Sequence, residues 1–125
     1  MIPLRIRFFK TIVTVLIFAG LGIVALENHA WDDWKTVKSL RGMDEDRTSD
    51  LFTIEGKRWR VKHSHSGEGL LQVYVYDSDG KWIVTAVNVS RPGEGVSEEI
   101  DRQGEFYVRV SSTVKKWKID IEELR

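Results

Sequence analysis

Apolar and polar positions alternate with a period of two over most of the second half of the chain. The clearest stretch is 70–87, LLQVYVYDSDGKWIVTAV. Val73 and Val75 alternate with Tyr74 and Tyr76. After Asp77-Ser78-Asp79-Gly80, Trp82, Val84 and Ala86 alternate with Ile83, Thr85 and Val87. Successive side chains on a strand point to opposite faces, so this pattern predicts two half-buried strands. The Asp-Gly between them supplies the residues that a hairpin reversal needs. The same alternation recurs over 51–55, 58–63, 96–100, 105–111 and 116–122. The segments 64–69 and 88–95, rich in Gly, Ser and Pro, read as loops. About seven short strands with turns between them predict an all-β domain, a small antiparallel β-sandwich of jelly-roll-like type. Trp59, Trp82 and Trp117 fall on apolar faces and are the expected core anchors.

The first fifty residues follow other patterns. Arg5, Arg7 and Lys10 precede an uncharged run, Thr11 to Leu26, and Glu27, Asp32 and Asp33 follow it. Basic residues before an apolar run and acidic residues after it orient the N-terminus toward the cytoplasm and the remainder away from it. Segment 1–26 therefore reads as a hydrophobic export helix. It is either a signal peptide cleaved after Ala30 or an uncleaved anchor contacting the membrane through residues 8–26. Residues 27–50 read as an acidic linker. Within it Trp31, Trp34, Val37 and Leu40 recur every three residues, a spacing that predicts a short helix ended by Gly42. The expected organisation is thus a leader over 1–26, a linker over 27–50 and the sandwich over 51–125.

Charge and composition narrow the function classes. Lys+Arg and Asp+Glu both number 19, so the formal net charge is zero and no global basic excess favours nucleic acid. Cysteine is absent, which removes disulfides, thiolate metal sites and a cysteine nucleophile. No nucleophile elbow, H-E-x-x-H or phosphate-binding loop occurs, so the chain reads as non-enzymatic and without a cofactor. His63-Ser64-His65 is an H-x-H pair that suits zinc or copper if a third ligand joins it. Asp77-Ser78-Asp79-Gly80 reads as a turn rather than a calcium loop. Arg58, Arg60 and Arg109, with Tyr74, Tyr76 and Tyr107, form the candidate ligand surface, a basic and aromatic sheet face.

Leu71-Gln-Val-Tyr-Val-Tyr-Asp-Ser-Asp-Gly80 and Gly104-Glu-Phe-Tyr-Val-Arg-Val110 resemble the two signature strands of bacterial pre-peptidase C-terminal-type sandwiches. The resemblance covers roughly residues 51–125 and implies a non-catalytic accessory or binding module. Gly69, Leu70 and Gln72 stand where that family carries acidic residues ahead of its first signature strand. The resulting expectation is a bacterial-type exported protein carrying one interaction module. Its ligand is a protein or a polysaccharide, the latter making it a carbohydrate-binding module. A third reading is a metal-dependent hydrolase built around His63 and His65.

Overall fold

The computed structural model describes residues 32–125. The expected hydrophobic helix, the Ala30 cleavage site and the membrane contact through 8–26 lie outside the described residues. Among the described residues no helix is long and apolar enough to cross a membrane.

The described chain is all-β. Nine strands run in order: β1 (Trp34–Gly42), β2 (Arg47–Thr48), β3 (Phe52–Ile54), β4 (Trp59–Ser66), β5 (Leu71–Asp77), β6 (Trp82–Val89), β7 (Gly93–Val96), β8 (Gly104–Ser112) and β9 (Lys116–Leu124). They form two antiparallel sheets. The four-stranded sheet has the order β1-β9-β4-β7. The five-stranded sheet has the order β2-β8-β5-β6, with β3 also paired to β8. Inward residues of both sheets share one core. The four-stranded sheet contributes Trp59, Val61, Trp117, Ile119 and Ile121, and the five-stranded sheet Leu71, Val73, Val75, Val108 and Val110. Phe52, Trp59 and Phe106 meet at centroid distances of 5.1–6.4 Å within it. Burying bulky aromatic and branched side chains is what lets so short a chain remove enough apolar surface from water.

The helix expected over the Trp34, Val37 and Leu40 stripe is instead strand β1, paired along its length with β9. The compact unit therefore begins at Trp34, not at residue 51. The three-residue spacing has a strand explanation. A β-bulge at Val37 interrupts the register between Thr36 and Lys38. The extra residue resets the alternation, so Val37 and Leu40 both pack against the core. The loops expected over 64–69 and 88–95 are also shorter, because β4 runs on to Ser66, β6 to Val89, and β7 begins at Gly93. Gly95 pairs with His63 in the β4–β7 ladder, and the His63 ring lies across it. A Cβ there would sit 2.8 Å from His63 Cε1 and Nε2.

Trp82 departs from the expected core in the same way as Val37. It is 53% exposed, whereas Trp59 is 0% and Trp117 2%. Two register shifts, one at Ala86 and one at Ile83, separate β6 from strict alternation against β5. Each adds one inward residue. Ile83, Val84, Ala86, Val87 and Val89 consequently all meet the core. Trp82, Thr85 and Asn88, paired with Tyr76, Tyr74 and Gln72, face outward.

Candidate functional site

The outer face of the five-stranded sheet is built by alternation on β5 and β8 and by the two bulges on β6. Tyr74 pairs with Arg109 and Tyr76 with Tyr107 across the β5–β8 ladder. Residues opposite each other on adjacent strands share a face, so these four side chains stand together. The Tyr76 and Tyr107 rings stack, 5.1 Å between centroids and 14° between planes. The Arg109 guanidinium lies 4.8 Å from the Tyr74 ring centroid, a cation–π contact. Its hydrogen bond with Tyr76, the largest cause, and its nearness to Tyr74 and Asp46 raise the Arg109 pKa above its ordinary value.

Trp82 extends this surface at the turn end, where its indole nitrogen donates to Thr85 Oγ1 at 3.4 Å. Gln72 Nε2 donates to Asn88 Oδ1 at 3.4 Å near the other end of the strands. The turn beneath Trp82 is rigidly tied. Asp77 Oδ1 accepts from the amides of Asp79 and Lys81, both at 2.9 Å. Gly80, at φ 84°, takes the left-handed conformation that closes it. The Tyr107 hydroxyl lies near enough to Gly80 that a Cβ there would meet it at 3.6 Å. The surface therefore carries three tyrosines, one tryptophan, one arginine, two side-chain amides and a threonine.

Arg58 and Arg60, expected beside these aromatics, are not there. They belong to the four-stranded sheet side and are paired locally. Arg58 Nη1 lies 3.0 Å from Glu99 Oε1. Arg60 Nε lies 2.9 Å from Glu122 Oε1 and its guanidinium 3.9 Å from the Trp34 ring centroid. The expected single patch thus divides. Tyr74, Tyr76, Tyr107 and Arg109 come together, while Arg60 serves a cross-strand ion pair with Glu122 on the other sheet and Arg58 pairs with Glu99 just outside the strands. The division was not legible from alternation, which assigns a face within a strand but not the sheet to which the strand belongs.

Trp82, Thr85, Gln72 and Asn88 are the surface residues that alternation missed. A signal for three of them is present in the sequence. The doublets Ile83-Val84 and Ala86-Val87 separate Trp82, Thr85 and Asn88 by three residues each, the mark of a twice-bulged strand.

His63 and His65 both lie on β4 and point to the inner face, in register with Ile119 and Trp117 of β9. No group of three His, Cys, Asp or Glu side chains able to hold a metal ion occurs among the described residues. Burial, and secondarily the charge of His65, lowers the His63 pKa below its ordinary value. No protein-family model matches the chain, and no curated protein matches it.

Proposed function

We propose that the chain is an exported, non-catalytic interaction module, a β-sandwich of jelly-roll type that takes its ligand on the outer face of the five-stranded sheet. The observation that carries this reading is the aromatic surface itself. The Tyr76–Tyr107 stack, Tyr74 under Arg109, and a half-exposed Trp82 occupy adjacent strands of one sheet face. Solvated sheet faces ordinarily carry charged and small polar residues, and an exposed cluster of large rings marks an interaction site. The strand orders support the jelly-roll assignment. With β2 and β3 counted as one interrupted strand, each sheet holds four strands, and the chain crosses repeatedly between the sheets. The charge pattern around segment 11–26 supports export, with the module either anchored or released after Ala30.

A polysaccharide is the ligand class this surface suits best. Flat aromatic rings offer apolar faces to sugar C–H groups, and Gln72, Asn88, Thr85 and Arg109 supply donors and acceptors for hydroxyls. The test is retention of the full chain on immobilised polysaccharides. Retention that is lost in the triple variant Tyr74→Ala, Tyr76→Ala, Tyr107→Ala supports the reading. Failure of every polysaccharide to retain the wild-type chain removes the carbohydrate assignment.

A further inference from the structure

The outer face of the four-stranded sheet has one place where its charges do not match. Over most of that face, neighbouring strands complement each other. Arg60 of β4 meets Glu122 of β9, Ser39 Oγ of β1 donates to Asp120 Oδ1 of β9, and along β9 itself Lys118 reaches Asp120 at 3.7 Å. At the β4 C-terminal end the pattern breaks, because Arg41 of β1 stands directly opposite Lys118 of β9. Like charges in direct cross-strand register destabilise a sheet. Lys116, two residues along β9, adds a third cation, and Arg41 and Lys116 make no ion pair among the described residues.

These three side chains line a groove of about 470 Å³, with Ser64 and Ser66 on its β4 wall and Glu94 its one acidic lining residue. His65 also lines it. His65 is 7% exposed, and neither of its ring nitrogens has a hydrogen-bond partner among the described residues. The imidazole faces the inner side of the sheet beside Trp117, away from the side that carries the three cations. The flank of the groove is open, since Gly93, in register with His65, has nothing within 4 Å of the position a Cβ would take.

We propose that this groove is a binding site for a phosphate-type oxyanion. Arg41, Lys116 and Lys118 would supply the countercharge, and Ser64 and Ser66 hydroxyl donors. Arginine and lysine together are the usual recognition set for a tetrahedral anion, the guanidinium as a bidentate fork and the ammonium as a point charge. The site lies on the opposite sheet from the aromatic surface, so its test is independent of the one above.

The experiment is calorimetric titration of the full chain with inorganic pyrophosphate and, separately, with long-chain inorganic polyphosphate. Saturable binding is expected for the wild type. The double variant Arg41→Gln, Lys116→Gln should bind at least about tenfold more weakly, the loss expected for removing charged hydrogen bonds. The control Lys81→Gln, Arg102→Gln makes the same charge change at residues outside the groove and should bind as the wild type does. Equal affinity per anion for the two probes assigns a single phosphate group as ligand, and tighter polyphosphate binding assigns a polymer. Absence of saturable binding to both probes, or equal weakening in the groove variant and its control, would overturn the proposal.

Discussion

Three indoles of one chemistry have different roles, set by the face each occupies. Trp59 and Trp117 are sealed in the core, and the Trp117 indole nitrogen donates to the Glu45 carbonyl at 3.1 Å. Gly42 makes room for Trp117, since a Cβ there would lie 2.6 Å from its ring. Trp82 stands on the aromatic surface. Trp117→Ala should therefore cost about 3–5 kcal/mol in chemical denaturation, the range for a buried aromatic. Trp82→Ala should fall within about 0.5 kcal/mol of wild type, as surface changes do. Equal losses for the two variants would place Trp82 in the core and remove it from the proposed surface. Trp59 and Trp117 were legible in the sequence because their strands alternate strictly. Trp82 was not, because its strand does not.

At the scale of elements, the bulge is the device that separates what periodicity predicts from what forms. Strands β4, β5, β8 and β9 keep a strict alternation, and their core residues follow directly from the sequence. Strands β1 and β6 carry inserted residues, at Val37 and at Ile83 and Ala86. An inserted residue converts a spacing of two into a spacing of three, which is why β1 resembled a helical stripe. These bulges also lie on sheet edges, where local twist and an interrupted ladder discourage pairing with another chain. The phase of β6 is directly testable. Val84→Thr should destabilise by about 1–3 kcal/mol, because it places a hydroxyl against the core. Thr85→Val, the reverse exchange one residue along, should be neutral within about 0.5 kcal/mol. Interchanged outcomes would mean that Thr85, not Val84, faces the core.

The described residues combine one shared interior with two chemically different exteriors, and two of their groups tie stability to pH. Glu123 is 6% exposed. Burial, the largest single influence, pushes its pKa up. The amides of Gly56 and Glu55 and the Arg125 guanidinium together outweigh burial and hold it below the ordinary 4.5. Such a group stabilises the fold above its unfolded value, and that stability is lost as pH falls through the folded value. His63 is also depressed, from 6.5, so the unfolded chain takes up its proton first and stability declines as pH falls below that value. The thermal midpoint of the full chain should accordingly decline first below about pH 6.5 and again below about pH 4.5. His63→Gln should flatten the first decline and Glu123→Gln the second. A midpoint independent of pH from 7 to 3 would contradict both assignments.

Which strands form and which faces are apolar could be read largely from the chain. Which sheet each strand joins could not, because sheet membership depends on pairings among residues far apart in sequence, such as Trp34 with Leu124. That is why Arg58 and Arg60 were grouped with tyrosines that belong to the other sheet.

The central claim is that ligand binds the rings on the outside of the five-stranded sheet. It is tested most directly by following the indole and tyrosine ring resonances of the full chain in solution as a retained polysaccharide is added. The account predicts that Trp82, Tyr76 and Tyr107 signals shift in a saturable way while those of Trp59 and Trp117 stay fixed. Saturable shifts confined to Trp34 and the four-stranded sheet, with Trp82 unmoved, would contradict it.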